Sequence, residues 1–404
     1  MTYSSSADSA PTSSRQLLLS LLLLWLAGAS LRFTILAVPP VIPLIHDDLH
    51  LSETEVGILT GLPSMLFALA AVPGSLLVAR LGARNALLTG LLVTAIGGAL
   101  RGALPSIAFL YATTVLMGVG VAVMQVTMPP TVRAWLPERI GFATAVYTNG
   151  LLFGEILPVA LMLPLVLPLA GGWQWAFAWW SVPVVVTAVL IPLLGPQTAL
   201  PATNASTPRR WWPDWRKPLI WRLGIMLGVV NAMYFGSNAF IPDYLNSCGE
   251  GHLISAALTA LNVGQLPASF LLLATAERLK GKPWPYVVSG FLGVIGILAI
   301  VLGSGWWVVA GASLLGFSAA GTLILALALP PLLSPPDDVH RVTAAMFTIS
   351  YSCAVIVPVI SGLAWDLTGV ASTAFMPLAL CGLILMWLAP AILHVEQHAA
   401  EHAA

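Results

Sequence analysis

Charge is what this sequence has least of. Its 404 residues include 16 Lys or Arg and 16 Asp or Glu, so only 8% of the chain is charged and the net charge is zero. Soluble globular proteins carry about 25% charged residues. With 58% hydrophobic residues and a mean hydropathy of +0.92, the composition predicts a polytopic helical membrane protein. The balanced charge gives no indication of a nucleic-acid partner.

Cysteine and catalytic motifs are also scarce. The three cysteines, Cys248, Cys353 and Cys381, are odd in number and lack metal-ligand spacing, which excludes a disulfide framework and a zinc site. The sequence has no Gly-rich phosphate loop with a Lys, and no nucleophile–base pattern. We therefore expect no cofactor, no metal, no catalytic residue and no enzymatic activity.

Long apolar runs, in contrast, are abundant. A hydrocarbon core about 30 Å thick requires about 20 residues of apolar helix, and twelve segments of the chain meet this length. We predict an all-α membrane protein with spans at residues 16–45, 54–77, 85–104, 106–130, 142–168, 173–194, 219–245, 253–275, 284–303, 306–330, 342–365 and 372–393.

One polar, Pro-rich and basic segment, residues 195–218, lies midway along the chain. It predicts a cytoplasmic linker between two six-helix halves, residues 15–194 and 219–393. Residues 1–14 are rich in Ser, Thr and Ala and are predicted to be disordered, and residues 394–404 form a C-terminal tail.

The two halves show weak internal similarity. The segments LTGLPSMLFALAAVPGSLLVARLGAR (59–84) and LTALNVGQLPASFLLLATAERLKGK (258–282) both open with Leu-Thr and end in a basic turn. Each also carries a proline followed by a small residue and Ser. Parallel six-helix repeats place a substrate site near the membrane midplane, between the halves.

Lys and Arg are distributed unevenly between the loops. With the N-terminus in the cytoplasm, one face receives all of them except Arg32 and Arg101, the first within a span and the second at an outer helix end. A positive-inside pattern predicts a multi-pass inner-membrane protein with both termini cytoplasmic. The residues on that face are Arg15, Arg80, Arg84, Arg133, Arg139, Arg209, Arg210, Arg216, Lys217, Arg222, Arg278, Lys280, Lys282 and Arg341.

The turn after the second span, SLLVARLGAR (75–84), resembles the loop motif of the major facilitator superfamily, with Ser75 and Ala79 in place of its usual Gly and Asp. The order of further motifs over residues 16–393 resembles the cyanate and 2-nitroimidazole transporter branch. These motifs are Leu31-Arg32; Ala99-Leu100-Arg101; Gln125 with Met128-Pro129; Trp179-Trp180 with Pro183; Tyr234 with Ile241-Pro242 and Tyr244; and Tyr351 with Ala354, Pro358, Gly362 and Asp366-Leu367-Thr368-Gly369. The resemblance implies a cavity lined by spans one, four, seven and ten, with spans two, five, eight and eleven beside them.

Arg32 is the first candidate for substrate binding. A guanidinium inside a span costs at least about 2.5 kcal/mol by insertion scales and cannot lose its charge. It must face a protein interior or a wet cavity, where it suits a small planar anion. Trp25, seven residues earlier, is expected on the same helix face. The alternative is a structural Arg held by backbone carbonyls or a buried acid.

Glu155 is the only carboxylate well inside a predicted span. It could pair with Arg32, carry a proton, since burial favours the neutral form of a carboxyl group, or receive a polar or cationic group of the substrate. A neutral packed acid is the remaining alternative. An acid that faces Arg32 would offset the positive charge that attracts an anion.

Polar side chains in other spans are candidate substrate ligands. Three in span seven share one helix face through i, i+3 and i+7 spacing. The alternative role for each amide is an interhelical hydrogen bond, worth about 0.6 kcal/mol in a membrane. The candidates are Gln125, Asn149, Asn231, Tyr234, Asn238, Asn262, Gln265 and Tyr351.

These features together predict a secondary active transporter that moves a small polar solute across the bilayer by alternating access, as a monomer and with proton symport. The solute is expected to be anionic or nitro-heterocyclic, and the resemblance implies a cyanate-like molecule. Two alternatives stay open: an exporter of toxic small molecules or drugs, and a non-transporting membrane receptor. The short loops offer little partner surface for a receptor.

Overall fold

The computed structural model describes residues 14–51, 53–196 and 211–401, with backbone alone at residues 43, 46, 53–58, 60, 61 and 392–401. These residues form helices and connecting loops, with no β-strand among them. The membrane-length helices are α1 (Ser14–Ser30), α2 (53–81), α3 (83–100), α4 (Ile107–Trp135), α5 (Ile140–Leu161), α6 (Trp173–Leu194), α7 (Pro218–Ser247), α8 (Ile254–Val263, continued by Gln265–Leu279), α9 (Trp284–Leu302), α10 (Trp306–Leu327), α11 (Val339–Thr368) and α12 (Met376–Glu401).

The predicted twelve-helix architecture is confirmed. Eleven helical stretches of the described chain are long and apolar enough to cross a membrane, and the second of them contains two spans. The helical run Glu53–Leu100 is interrupted at Gly82, whose φ of 76° and ψ of 164° are not helical. Only glycine adopts such a conformation readily, so α2 and α3 meet at a sharp bend.

The first span is not the continuous helix that its apolar run suggested. Helix α1 ends at Ser30, Leu31 and Arg32 form a turn, and a short helix resumes at Phe33–Leu36. In the turn, the amides of Leu31 and Arg32 bond to carbonyls three residues back, as in a tightened helix end. The break therefore falls at the buried arginine.

The two halves repeat one packing arrangement. In the first half α1 packs on α5, α3 on α6, and α4 on α2 and α3. In the second half α7 packs on α11, α9 on α12, and α10 on α8 and α9. Because each helix has an equivalent six places later, the chain forms two six-helix halves, as predicted.

Helices α1 and α5 approach closely because glycines line their contact. A Cβ atom added at Gly150 would lie 2.1 Å from the Trp25 carbonyl oxygen, and one at Gly154 would lie 2.3 Å from that of Ala29. Only a residue without a side chain fits there. This approach sets the polar residues of α5 directly beside the broken end of α1.

The halves meet along two equivalent pairs of helices, α2 with α11 and α5 with α8. Thr348 Oγ1 of α11 donates to the Ala68 carbonyl of α2 (2.9 Å), and Asn149 Nδ2 of α5 donates to Ser269 Oγ of α8 (3.0 Å). These hydrogen bonds join the halves near the middle of the bundle.

Helix α1 begins and α12 ends at the same face of the bundle, which we call the terminal face. Here Arg133 Nη1 at the end of α4 donates to the carbonyls of Pro331 (2.5 Å) and Ser334, beyond α10. The Phe142 amide at the start of α5 donates to Glu277 Oε1 at the end of α8 (2.7 Å). Contacts between the halves therefore close the bundle at the terminal face.

The predicted domain boundaries stay predictions. Residues 1–14, apart from Ser14, and residues 197–210 of the linker lie outside the described residues. The end of the linker lies against both halves, since Ser75 Oγ donates to the Trp211 carbonyl (2.5 Å) and Arg341 Nε to the Trp212 carbonyl (2.9 Å). Helix α12 continues through Glu401, so the predicted tail is helical up to that residue.

Candidate functional site

A cavity lies between the two halves, near the middle of α4, α5, α7 and α11. The space that the centre of a water molecule can occupy there is about 50 Å³. One water needs about 10–15 Å³ by this measure, so the cavity has room for a small solute. Its walls are formed by Leu31, Arg32, Gln125, Met128, Tyr147, Leu151, Glu155, Val230, Asn231, Tyr234, Phe235, Gln265, Ala319, Leu323, Leu327, Phe347 and Tyr351.

An ion pair crosses one wall of this cavity. Arg32 Nε donates to Glu155 Oε1 at 3.0 Å, and the two side chains are 11% and 24% exposed. The guanidinium carbon also lies 5.5 Å from the centre of the Phe67 ring. Arg32 Nη1 is buried and has no hydrogen-bond partner within the described part of the chain. The arginine therefore keeps one donor for another group.

Tyr351 of α11 lies on the cavity wall beside Arg32. Its hydroxyl accepts a hydrogen bond from Gln125 Nε2 (2.7 Å), which links the halves across the cavity. Its ring lies 5.1 Å from Phe67 and 6.1 Å from Phe347. Tyr351 is also an electrostatic neighbour of the Arg32 guanidinium. Aromatic rings and a guanidinium thus surround one end of the cavity.

A second tyrosine, Tyr234 of α7, faces the ion pair and interacts electrostatically with both of its members. Its hydroxyl donates to Asn262 Oδ1 (2.5 Å) and accepts from Gln265 Nε2 (3.3 Å). Two amides of α8 therefore hold the Tyr234 ring in place.

The other span-seven amides lie above and below this tyrosine. Asn231 lines the cavity and donates to Ser350 Oγ of α11 (2.8 Å). Asn238 donates to the Tyr234 carbonyl one turn earlier (3.0 Å) and lies outside the cavity lining. Asn262, behind Tyr234, also lies outside the lining. The predicted common face thus brings two of the three residues of span seven to the cavity.

Trp25 and Asn149 lie away from the cavity and bond to each other. Trp25 Nε1 donates to Asn149 Oδ1 (2.9 Å), and Asn149 in turn donates to Ser269. The expected common face of Trp25 and Arg32 required a continuous helix. The turn at residues 31–32 changes the direction of Arg32 relative to Trp25, and Trp25 instead supports the contact between the halves.

Tyr147 of α5 and Arg101, which follows α3, were not among the predicted site residues. Tyr147 lines the cavity two turns before Glu155, and this i, i+8 spacing on one helix face was the signal that could have identified it. Arg101, which was expected at an outer helix end, follows α3 but is buried, with 2% of its surface exposed.

The arrangement suits binding rather than bond making. The cavity pairs one positive and one negative side chain, so its net charge is zero, and the remaining wall is aromatic, amide or aliphatic. Groups of His, Cys, Asp or Glu that could hold a metal ion do not occur among the described residues. A cavity between two six-helix halves of a membrane bundle is typical of secondary transporters.

Comparison with known proteins identifies the family. Residues 24–358 match the Major Facilitator Superfamily, so the chain belongs to that superfamily. The chain is 28% identical to the cyanate transport protein CynX of Escherichia coli (strain K12) over 384 residues, 91% of this chain and 96% of that protein. It is 25% identical to the 2-nitroimidazole transporter of the same organism over 371 residues, 89% and 91% of the two chains.

The solved structures agree on the fold. The outward conformation of the superfamily transporter FucP matches with a TM-score of 0.74 at 13% identity, over 93% of this chain and 99% of that chain. The predicted superfamily is thus confirmed, and the two transporters that name the predicted branch match over most of the chain. The chain is a multi-pass membrane transporter.

Proposed function

We propose that this transporter moves a small polar anion or nitro-heterocycle together with a proton, by alternating access. The observation that carries the proposal is the Arg32–Glu155 ion pair in a central cavity, where Arg32 Nη1 has no hydrogen-bond partner among the described residues. An unpaired buried donor costs free energy that a bound solute recovers. A planar anion is the solute that a guanidinium binds best.

Glu155 couples transport of the anion to transport of a proton. An anion that approaches Arg32 competes with the Glu155 carboxylate for the same cation, and a second negative charge in the cavity would be poorly solvated. Protonation of Glu155 releases Arg32 and keeps the loaded cavity neutral. The anion and the proton therefore enter together, and the apparent affinity for the anion rises as pH falls.

The ion pair also explains how the empty carrier can return to its starting conformation. Without substrate, Arg32 and Glu155 neutralise each other, so the empty cavity carries no net charge through the membrane. The loaded cavity, with one anion and one proton added, is neutral as well. Moving either of these two neutral states across the membrane costs little free energy. Moving a cavity that holds an anion but no proton would cost much more.

Alternating access is supported by the closed terminal face. Hydrogen bonds from Arg133 and Phe142 seal that face in this structure, so the solute would enter from the opposite side. The distribution of Lys and Arg supports a cytoplasmic location for the terminal face. We therefore propose that both termini lie on the cytoplasmic side of the inner membrane, and we propose separately that the transporter acts as a monomer.

The names of the relatives narrow the range of candidate solutes. One relative transports cyanate and another 2-nitroimidazole, and both solutes are small, planar and polar. We propose that this chain takes a solute of the same kind. The small cavity volume agrees with this size class and disfavours bulky drugs.

Flux into proteoliposomes tests the proposal. Radiolabelled cyanate and 2-nitroimidazole are supplied outside vesicles that carry an inward pH gradient, a membrane potential or neither. For cyanate we expect accumulation driven by the pH gradient, with little response to potential because an anion and a proton cross together. Efflux alone would identify an exporter, and binding without flux would identify a receptor.

A further inference from the structure

A second arginine lies buried in the first half, apart from the central cavity. Arg101 directly follows α3 and is one of the largest fully buried side chains of the described chain. Its guanidinium carbon lies 4.6 Å from the centre of the Phe177 ring on α6. Its Nη1 lies 3.4 Å from Met117 Sδ of α4. Helices α3, α4 and α6 therefore hold this guanidinium in one place.

Within the described part of the chain, no carboxylate forms an ion pair with this buried cation. The four ion pairs found among the described residues do not include Arg101, and its Nε is buried without a hydrogen-bond partner. An unpaired arginine within a membrane protein is costly, so a purely packing role would be served better by an apolar side chain.

The strong contact of Arg101 is to the backbone of the first span. Its Nη1 donates to the Thr34 carbonyl oxygen at 2.6 Å. In an unbroken helix that carbonyl would accept the amide of Val38. Here Val38 bonds to Ile35 instead (3.3 Å). Arg101 therefore occupies a carbonyl that the interrupted helix leaves without its usual partner.

That carbonyl lies two residues after Arg32. The backbone of Arg32 has φ −122° and ψ −25°, outside the helical region, and the short helix Phe33–Leu36 begins directly after it. Thr34 is also pressed against α3, since a Cβ atom at Gly98 would lie 2.8 Å from Thr34 Cγ2. One side of the break is thus fastened to α3, while α5 holds the other side through its glycines.

We propose that Arg101 is a positioning residue for Arg32: by binding the Thr34 carbonyl, it fixes the break in the first span that directs the Arg32 guanidinium into the cavity. The proposal rests on the proposed role of Arg32 in binding substrate. Without the Arg101 contact, the segment after Ser30 is free to rewind toward a regular helix. Arg32 would then follow the direction of Trp25, away from the cavity.

The test compares Arg101→Met with Arg101→Lys and with Leu110→Ala, which removes a buried apolar side chain from α4. Two quantities are measured on the purified full chain in nanodiscs. The first is hydrogen–deuterium exchange of the segment 28–38, which needs no ligand. The second is the affinity for radiolabelled cyanate and for 2-nitroimidazole by equilibrium dialysis, with the melting temperature recorded for each variant.

We expect exchange in segment 28–38 to rise about tenfold in Arg101→Met and both affinities to fall about tenfold, as for the loss of one charge-assisted hydrogen bond. Because Arg101→Lys keeps a donor, its exchange rate in segment 28–38 and its two affinities are expected to be intermediate between those of wild type and Arg101→Met. Leu110→Ala is expected to lower the melting temperature and leave both affinities unchanged.

Unchanged exchange in Arg101→Met would overturn the proposed contact, and faster exchange with unchanged affinity would overturn the positioning role. If neither probe binds the wild type, the proposed substrate class fails, while the exchange result still decides whether Arg101 holds the break. If Arg101→Met does not fold, Phe177→Leu replaces it. Loss of the ring frees the guanidinium, and unchanged affinity in that variant would also refute the proposal.

Discussion

Replacing Glu155 with Gln is the most direct test of how charge is balanced in the cavity. The substitution keeps the size of the side chain and removes its negative charge. In the proposed mechanism, an anion displaces a carboxylate that accepts a 3.0 Å hydrogen bond from Arg32. Hydrogen bonds between charged groups contribute about 1.5–3 kcal/mol. The members of this pair are partly exposed, at 11% and 24%, so the lower end of that range applies.

A gain of about 1.5 kcal/mol corresponds to about tenfold tighter binding. We therefore expect Glu155→Gln to bind cyanate about tenfold more tightly than wild type at neutral pH. The difference should vanish at low pH, where the wild-type carboxyl is protonated and no longer holds Arg32. The variant should exchange labelled for unlabelled solute across the membrane, and it should fail to accumulate solute against a gradient.

Equilibrium dialysis across a pH series measures the affinity, and counterflow in proteoliposomes measures exchange. Glu138→Gln, which alters an exposed carboxylate near the terminal face, is the matched control and should behave as wild type. Weaker anion binding in Glu155→Gln, or undiminished accumulation driven by a pH gradient, would refute the competition between Glu155 and the anion.

Three further substitutions test other parts of the structure. Arg32→Ala should weaken cyanate binding at least tenfold while the protein still folds, and equal affinity by dialysis would remove Arg32 from the site. Gly150→Ala forces a Cβ to 2.1 Å from a carbonyl of α1 and should cost about 1–3 kcal/mol of stability. Gly321→Ala, whose nearest neighbour is at 3.4 Å, should lower the melting temperature far less. Glu277→Ala removes the acceptor of the Phe142 amide and should open the terminal face about tenfold more often, as labelling of an introduced cysteine there would show; unchanged labelling contradicts this role.

The architecture could be predicted from the sequence because the bilayer constrains it. Helix length, apolar composition and the distribution of Lys and Arg are local properties, and they are sufficient to count twelve spans. The same reasoning found Arg32 and Glu155, since charged residues within apolar runs are few and easily recognised. Their contact at 3.0 Å was one of the three roles considered for Glu155.

The direction of side chains could not be read from the sequence where it depends on distant parts of the chain. The pairing of Trp25 with Arg32 assumed one continuous helix, whereas the chain after the break is contacted by Arg101, whose partner Thr34 lies 67 residues away in the sequence. Asn149 and Asn262 were placed on cavity helices correctly, yet they bond to Trp25 and Tyr234 behind the cavity wall. The spacing of residues along one helix shows which of them share a face, but it does not show which neighbouring residues pack against that face.

The two related turns of the halves differ in one acidic residue. The turn after α2 carries Ala79, where the superfamily motif usually has Asp, and the matching turn after α8 carries Glu277, which binds the start of α5. Of these two matching positions, only Glu277 therefore supplies a carboxylate that links the halves at the terminal face. With one such carboxylate instead of two, that face should open more easily and the carrier should turn over faster. Introducing an acid through Ala79→Asp should add a second link of this kind and lengthen the time spent with the terminal face closed.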